Sequence, residues 1–405
     1  QPLIFRATVQ WFVAVDHNDL RKKALAGIDT VAWYPPQASN RISAAVAGRP
    51  DWTVSRQRHW GVPIAIFYAN GEPVFDETAY DAAVAVIKEN GIEAWYSMSP
   101  VDILPDGFTY KGIPASEFTK EKDVLDVWFD SGSTSFAVLD SGVWPDHSWP
   151  ADLYLEGSDQ HRGWFNSSLM IATAMRGVPP YRAVVTNGFT VDELGYKMSK
   201  SKGNVVTPLD LFEKFGSDAV RYWAASARPG IDTAFSEDQM KVGKKLATKL
   251  LNATKFVLSF PEPALDARPT TAIDLAMLAR VAQTINEATT AFEQYDYARA
   301  LERTESMFWW FCDDYVELVK GRAYDSQGSE AAGSALSALR LALSALQRLL
   351  APFMPFTTDT VWRWWQNGSV HTAVWPAVSE LGSIGDSTIL EPIGEILSQI
   401  RRSKT

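Results

Sequence analysis

The stretch from Asp152 to Thr186 constrains the fold most, because its pattern changes from strand to helix and back to strand. The apolar run within Asp152–Glu156 predicts a short strand, and Gly157-Ser158 then favours a helix start. Large apolar residues at helical spacing predict a helix from Asp159 to Arg176, and a further strand covers Ala183–Thr186. A strand, a helix and a strand at this spacing form a βαβ unit, which predicts a parallel sheet.

In parallel sheets, ligands bind beyond the carboxyl ends of the strands. The residues expected at this end of the sheet are Glu156, Gly157, Asp159 and Gln160. The carboxylate of Glu156 can accept a ligand ammonium, and a helix start can receive an anion. The pattern leaves a second interpretation open, because Ser158 and Asp159 are also ordinary N-terminal helix residues. His161 is either a site residue or a surface residue of the first turn.

Residues 197–204 read Lys-Met-Ser-Lys-Ser-Lys-Gly-Asn and form a short cationic segment. Lys197, Lys200 and Lys202 place three positive charges within six residues of a chain whose formal net charge is −10. Serine, glycine and asparagine favour turns. Ammonium groups, hydroxyls and free backbone N–H groups together suit a polyphosphate. The segment is therefore either a phosphate-binding loop or a solvated basic loop.

Beyond residue 236 the pattern becomes helical throughout. Apolar residues at helical spacing predict helices over residues 240–258, 271–293, 298–322, 331–350 and 358–365, and from 391 to the basic end of the chain. Successive helices of this length predict an antiparallel bundle. The aromatic stripe Phe308, Trp309, Trp310, Phe311 and Tyr315 is more typical of a bundle core than of a stacking platform.

The first part of the chain has a weaker pattern. We predict strands at residues 64–68 and 124–129 and a helix at residues 79–90. Arg56 and Arg58 either bind phosphate or pair with nearby carboxylates, and the spacing favours pairing.

Composition excludes several classes of protein. Hydrophobic residues make up 46% of the 405 positions, which is typical of a folded chain of more than one domain. The acidic net charge argues against indiscriminate nucleic-acid binding. The single cysteine, Cys312, excludes an intrachain disulfide and a multi-cysteine metal site, and it fits a reducing, cytoplasmic location. No apolar run is long enough for a membrane span, so we expect no membrane partner.

Four segments together resemble class I aminoacyl-tRNA synthetases. Lys197-Met-Ser-Lys-Ser is similar to the KMSKS signature of that class, and three further segments resemble isoleucyl-tRNA synthetases over about residues 1–210: Asp51–Pro63, Asp126–Gly132 and Leu153–Phe165. Later segments are more similar to valyl-tRNA synthetases, namely Asp218–Gly230, Phe311–Lys320 and Gly368–His371. The cognate amino acid is therefore isoleucine or valine, and the catalytic half favours isoleucine.

The resemblance implies a division into three parts. Residues 1–48 resemble the return arm of an editing insertion, and residues 49–235 resemble the C-terminal half of a Rossmann-like catalytic domain with its KMSKS loop. Residues 236–405 resemble an anticodon-binding helical bundle. The fold class expected is thus an α/β Rossmann-like parallel sheet followed by an all-α antiparallel bundle. The implied activity is ATP-dependent formation of isoleucyl-adenylate and transfer of isoleucine to tRNA(Ile).

The resemblance also implies roles for single residues. Glu156, Gly157, Asp159, Gln160 and His161 would bind the aminoacyl-adenylate. Trp128 and Trp164 would form walls of the aliphatic pocket. Lys197 and Lys200 would act in catalysis and, with Met198, Ser199, Ser201 and Asn187, would bind ATP. Mg²⁺ would accompany the ATP. The reaction needs positioning and charge neutralisation more than covalent help from the protein.

Several family features are missing from this sequence. It has no His-x-Gly-His element, which forms the other half of the class I ATP site, and no body of the editing insertion. It also lacks zinc-binding cysteines, so we expect no structural zinc. Asn187 stands where a histidine is usual before Gly-Phe, and an amide donates a hydrogen bond but carries no charge. We therefore expect a missing N-terminal segment, absent proofreading, and weak or no ATP–pyrophosphate exchange by this chain alone.

Two other functions compete with this interpretation. A tRNA-binding module without catalysis predicts salt-sensitive tRNA binding that is unaffected by Lys200→Ala. A P-loop or dinucleotide enzyme is disfavoured, because neither Gly-x-x-x-x-Gly-Lys nor Gly-x-Gly-x-x-Gly occurs.

Overall fold

The computed structural model describes residues 7–325 and 329–403, without the side chains of Lys200, Ser398 and Arg401. The first six residues of the predicted return arm lie outside this range. The chain divides into two compact units, Gln1–Thr186 and Asn187–Thr405. Each unit is described by itself.

Short strands and helices alternate in the first unit. Its strands are β1 (Phe12–Val13), β2 (Ala32–Tyr34), β3 (Trp52–Thr53), β4 (Ser55–Arg56), β5 (Phe67–Ala69), β6 (Glu72–Pro73), β7 (Thr109–Tyr110), β8 (Ile113–Pro114), β9 (Thr119–Lys120), β10 (Val124–Leu125), β11 (Ala151–Gly157) and β12 (Tyr181–Asn187). Its helices are α1 (Leu20–Ile28), α2 (Ala38–Ala47), α3 (Glu77–Asn90), α4 (Glu93–Ser97), α5 (Pro100–Ile103), α6 (Val127–Gly132) and α7 (Trp164–Arg176).

The main sheet of this unit has the order β11-β12-β2. Strand β12 pairs in parallel with β2, so that Val184 lies opposite Trp33. Helices α1, α2 and α7 supply the buried side chains of the core beside the sheet, among them Ile28, Ile42 and Leu169. Burial of these apolar side chains is the main contribution to the stability of the sheet and the helices packed beside it. The predicted strand–helix–strand unit and the α/β fold class are confirmed.

A smaller core lies under the three-stranded sheet β6-β5-β9. Phe67 and Trp95 are almost fully buried there, with ring centroids 5.0 Å apart in an edge-to-face arrangement. The strand predicted at residues 64–68 is β5, which begins three residues later at Phe67, and the helix predicted at residues 79–90 is α3.

Two predictions of local structure are wrong. The strand predicted at residues 124–129 ends at Leu125, because the carbonyl of Asp126 accepts hydrogen bonds from the N–H groups of Phe129 and Asp130 and begins α6. The helix predicted to start at Asp159 is a 3-10 turn over Ser158–Arg162, and α7 begins only at Trp164.

The second unit is mainly helical. Its strands are β13 (Thr190–Val191) and β14 (Thr233–Ala234). Its helices are α8 (Pro208–Phe215), α9 (Ser217–Ala225), α10 (Glu237–Leu258), α11 (Ala272–Glu293), α12 (Tyr297–Trp310), α13 (Val316–Ala323), α14 (Glu330–Leu350), α15 (Pro355–Trp362) and α16 (Leu390–Ser403).

The predicted bundle is confirmed, and its core is aliphatic and aromatic. Phe308, Phe311 and Tyr315 are fully buried, whereas Trp309 and Trp310 are half-buried against the same core. The single helix predicted over residues 298–322 is divided into α12 and α13 by a π-helical turn at Phe311–Tyr315.

One buried carboxylate links three helices of the bundle. Asp274 of α11 accepts hydrogen bonds from Tyr315, from Arg322 of α13 and from Ser334 of α14. Burial raises the pKa of Asp274, but the hydrogen bonds from Arg322, Ser334, Thr271 and Tyr315 outweigh it and hold that pKa below its usual value.

Candidate functional site

The turn after β11 carries most of the residues predicted to bind the adenylate. It runs through the 3-10 turn Ser158–Arg162 and reaches α7 through Gly163. Glu156 and Asp159 are exposed, and Gly157 and Gln160 are half-buried. Two carboxylates and an amide are therefore available to a ligand at the carboxyl end of the sheet.

Two tryptophans define the apolar side of this turn. Trp164 stacks on Tyr154, with ring centroids 4.0 Å apart, and its indole N–H donates to the carbonyl of Ser131 at 2.9 Å. The backbone N–H of Trp164 donates to Oε1 of Gln160, also at 2.9 Å. The ring of Trp128 lies so close to Gly163 that an added Cβ would come within 2.8 Å of it. A glycine at this position therefore lets Trp128 and Gln160 approach the same point.

His161 supports the turn from inside. Its side chain is 1% exposed, so the alternative of a surface histidine is wrong. Nδ1 lies 2.8 Å from the carbonyl oxygen of Ser158, and the ring packs edge-to-face on Phe165. Burial lowers the pKa of His161, which keeps the imidazole neutral with Nδ1–H as the donor.

Sequence reasoning missed a second polar cluster beside α7. Arg49 donates to Oδ1 of Asn166 at 2.5 Å and lies over the ring of Trp52 at 4.7 Å. Burial lowers the pKa of Arg49. Nε of Arg49 and Nδ2 of Asn166 are buried without a hydrogen-bond partner. No motif marks these residues, since they lie 117 positions apart.

Arg56 and Arg58 border a cleft of about 1380 Å³. Arg56 pairs with the buried carboxylate of Asp126 at 3.4 Å, which supports the pairing interpretation for this residue. Arg58 donates to the carbonyl of Gln57. Trp60 is 92% exposed at the same cleft.

The lysine segment of the second unit begins in a hairpin that covers residues 189–198. Lys197 pairs with Val191 of β13 in an isolated bridge, and its ammonium lies 3.7 Å from the ring centroid of Phe189. The ammonium of Lys202 lies 4.6 Å from the ring of Tyr196. Both contacts are of cation–π type.

Of the remaining predicted ATP-binding residues, Met198 lies in this hairpin, Asn187 precedes it, and Ser199, Lys200 and Ser201 follow it. Ser199 and Ser201 have their hydroxyl oxygens 3.2 Å apart, and the N–H of Met198 donates to the carbonyl of Thr190. Lys200 begins a 3-10 turn at Lys200–Lys202, and its side chain lies outside the described part of the structure. A small cavity of about 250 Å³ is lined by Asn187, Gly188, Phe189 and residues of α9 and α12.

A second cationic surface lies in the bundle. After residue 240, helix α10 carries five lysines and no acidic residue. A groove of about 700 Å³ is lined by Lys214, Lys241, Lys244, Lys245, Lys249 and Trp309, together with Phe215, Thr248 and Asn252. Ion pairs to Glu237, Asp238 and Asp313 partly neutralise three of these lysines. The ammonium of Lys244 instead donates to a backbone carbonyl.

Within residues 7–325 and 329–403, no group of three or more His, Cys, Asp and Glu side chains is placed to hold a metal ion. No helix within these ranges has the length and apolar character needed to cross a bilayer.

Two family models match this chain. Residues 3–236 match the tRNA synthetases class I (I, L, M and V), and residues 274–405 match the anticodon-binding domain of tRNA ligases.

The curated relatives of this chain include both valine–tRNA ligases and isoleucine–tRNA ligases. Valine–tRNA ligases of Thermobifida fusca and Leifsonia xyli are 41% and 43% identical over the whole chain, which covers 46% and 48% of those proteins. An isoleucine–tRNA ligase of Thermoanaerobacter is 40% identical over 94% of the chain, and the match covers 42% of that protein. The chain thus spans about half the length of the curated relatives it matches.

A solved structure supports the fold. The ternary complex of Agrobacterium radiobacter K84 agnB2 LeuRS with tRNA and LeuAMS superposes with a TM-score of 0.60 at 20% identity. The match covers 83% of this chain and 44% of the LeuRS chain.

Proposed function

This chain belongs to the class I tRNA synthetases for isoleucine, leucine, methionine and valine, and from that premise we propose that it is the part of an aminoacyl-tRNA ligase that binds the aminoacyl-adenylate and the tRNA. The observation that carries the proposal is the turn after β11, where exposed carboxylates and a half-buried amide border two tryptophans.

The turn suits both ends of an aminoacyl-adenylate. The carboxylate of Glu156 would hold the substrate ammonium, and Asp159 would accept from the ammonium or the ribose hydroxyls. Gly157 and Gln160 would contact the same ligand. His161 would support the ligand-binding turn from its buried side, through the carbonyl of Ser158. Trp128 and Trp164 would enclose the aliphatic side chain, because burial of a branched hydrocarbon against aromatic rings is favourable.

The lysine segment suits the phosphates of ATP. Lys197 and Lys200 would neutralise the phosphates as pyrophosphate leaves, with Met198, Ser199, Ser201 and Asn187 around the nucleotide. The substrate carboxylate attacks the α-phosphorus, the bond to pyrophosphate breaks, and the amino acid becomes joined to AMP. Mg²⁺ would arrive on the ATP phosphates, and no protein ligand set for it is assigned.

The proposed cognate amino acid is isoleucine, from the segments that border the turn. Valine is a second candidate, because the two valine–tRNA ligases match the chain along its whole length. A hydrophobic pocket separates side chains that differ by one methylene by only about 10- to 200-fold, a limit for which isoleucyl-tRNA synthetases are themselves the standard example.

The tRNA partner is proposed from the lysine groove around α10. Lysine ammonium groups with methylene walls and a tryptophan suit a phosphate backbone and one stacked base. We expect Lys244→Glu/Lys245→Glu to weaken binding of a tRNA(Ile) transcript and to lower the slope of log Kd against log salt by about 2. Lys23→Glu/Lys88→Glu is the charge-matched control, since both residues are exposed outside the groove. Equal effects of the two double variants would contradict this assignment.

The proposed adenylate site is tested by titrating the chain with isoleucyl-sulfamoyl-adenosine, a stable adenylate analogue, in a calorimeter. We expect Glu156→Gln to weaken binding by about tenfold or more, since a charge-assisted hydrogen bond to the ammonium is lost. Glu89→Gln, an exposed change in α3, should leave the affinity unchanged. Binding that ignores Glu156→Gln would overturn the role of the turn.

A further inference from the structure

A pair of polar side chains joins the last residue of the lysine segment, Asn204, to Asp192, which lies five residues before the segment begins. Oδ2 of Asp192 accepts a hydrogen bond from Nδ2 of Asn204 at 2.8 Å. Oδ1 of Asp192 accepts from the backbone N–H groups of Leu194 and Tyr196, at 3.1 and 2.8 Å. Asp192 therefore closes the hairpin turn and holds the far end of the segment at once.

Asn204 extends this connection into the middle of the segment. Its Oδ1 accepts from the N–H of Ser199 at 2.9 Å. The NH₂ group of the Asn204 amide thus donates to Asp192, and its oxygen accepts from Ser199. The two ends of the amide cannot change places without loss of a hydrogen bond. We call the pair Asp192 and Asn204, with these four hydrogen bonds, the clasp.

The clasp fixes the backbone from which the lysines extend. Lys197 and Lys202 lie between its two members in sequence, and their ammonium groups rest on Phe189 and Tyr196 of the same hairpin. The pKa of Asp192 is lowered, first by the hydrogen bond from Asn204 and next by that from the N–H of Tyr196, so the carboxylate is charged at neutral pH. A preformed loop binds a polyphosphate with less loss of conformational freedom than a loop that orders on binding.

We propose that Asp192 and Asn204 are positioning residues that hold the lysine segment in the shape in which it meets the β- and γ-phosphates of ATP. The identity of the ligand rests on the proposed function, whereas the clasp itself is a feature of the fold. The clasp remains closed when phosphates bind, and only the lysine ammonium groups leave their aromatic rings.

The pair permits a reciprocal exchange. In Asn204→Asp, two carboxylates face each other. In Asp192→Asn, two amide NH₂ groups face each other unless one amide turns over. Turning Asn204 loses the N–H of Ser199, and turning the new amide loses the N–H groups of Leu194 and Tyr196. In the double variant Asp192→Asn/Asn204→Asp, the new amide donates to the new carboxylate, and every backbone N–H keeps an acceptor. The exchange therefore restores all four hydrogen bonds with the net charge unchanged.

The first measurement is the rate of trypsin cleavage after Lys197 and Lys202, located by mass spectrometry. We expect each single variant to be cleaved about tenfold faster, because one hydrogen bond to a charged group is lost, and the double variant to return to within about twofold of the parent. Asn40→Asp, an exposed change of the same charge in α2, should have no effect. Unchanged rates in the single variants, or fast cleavage in the double variant, would overturn the clasp.

The second measurement separates positioning from general stability. Each single variant should bind Mg·ATP about tenfold more weakly, with recovery in the double variant. All variants should bind isoleucyl-sulfamoyl-adenosine equally, because this analogue has no β- or γ-phosphate. Equal losses for both ligands would overturn the positioning role. If the parent chain binds neither ligand, the proposed function fails, and the cleavage rates still decide the clasp.

Discussion

The turn at residues 157–164 and the lysine segment at residues 197–204 are built in opposite ways. The turn rests on buried groups: His161 is 1% exposed, Phe165 is fully buried, and Trp164 is stacked on Tyr154. The lysine segment is held by side-chain hydrogen bonds and cation–π contacts that water reaches. Buried packing resists change, whereas exposed polar contacts respond to charge and salt. We infer that burial holds the backbone of the turn, whereas polar side-chain contacts hold the backbone of the lysine segment.

The largest expected effect compares one aromatic residue from each region. Phe165→Ala should lower the free energy of unfolding of the first unit by about 3–5 kcal/mol, because a cavity opens beneath the turn. Phe189→Ala removes a half-buried ring and a cation–π contact worth about 0.5–1 kcal/mol, so its total cost should be clearly smaller. Urea unfolding of the two variants measures both. Equal losses of unfolding free energy in the two variants would contradict the contrast between the buried turn and the lysine segment.

A second effect concerns pH and the buried imidazole. The pKa of His161 is lowered in the folded chain, so the unfolded chain binds more protons below the ordinary value of 6.5. Stability should therefore fall as pH drops from about 6.5 towards the folded pKa, by at most about 1.4 kcal/mol per pH unit from this residue.

His161→Gln is the variant that isolates this effect. A glutamine amide keeps a donor for the carbonyl of Ser158 but does not titrate, so this part of the pH dependence should disappear from thermal unfolding curves. The exposed His17→Gln is the control. An unchanged pH profile in His161→Gln would show that another group titrates in this window.

The smallest expected effect is that of salt on ligand binding. Raising NaCl from 50 to 500 mM should weaken Mg·ATP binding several-fold, since the lysine ammonium groups are screened. The same change should alter binding of isoleucyl-sulfamoyl-adenosine by less than about twofold, because the packed turn supplies most of its contacts. Calorimetric titrations at both salt concentrations make this comparison, and equal salt dependence of the two ligands would show that the two regions do not differ in their sensitivity to salt.

Helices and strands were predictable from the sequence wherever the regular spacing of apolar residues continued over many positions. The β11–α7–β12 unit and helices α10, α11 and α14 follow from apolar spacing alone. Residues 124–129 read as a strand by composition, but tertiary packing overrides this preference after Leu125. Gly132 lies so close to the backbone of Ser167 that an added Cβ would come within 2.8 Å, and the segment adopts a helical turn there.

The site was predictable in part. The motif residues of the turn lie together because they are consecutive, and their order in sequence already indicates their proximity. The contact between Arg49 and Asn166 was not predictable, because it joins distant segments and depends on the fold. The clasp was not predictable for another reason: Asp192 and Asn204 are ordinary turn residues, and only the folded structure shows that their side chains meet.

We propose that the turn after β11 binds the adenylate of a branched aliphatic amino acid, with isoleucine preferred. The most direct measurement is parallel calorimetric titration of the unmodified chain with isoleucyl-, valyl- and leucyl-sulfamoyl-adenosine. We predict that the isoleucyl analogue binds at least about tenfold more tightly than the valyl one, because it buries one more methylene, and that the leucyl analogue binds most weakly. Tighter binding of the valyl analogue would contradict the isoleucine assignment, and no binding of any of the three would contradict the adenylate site itself.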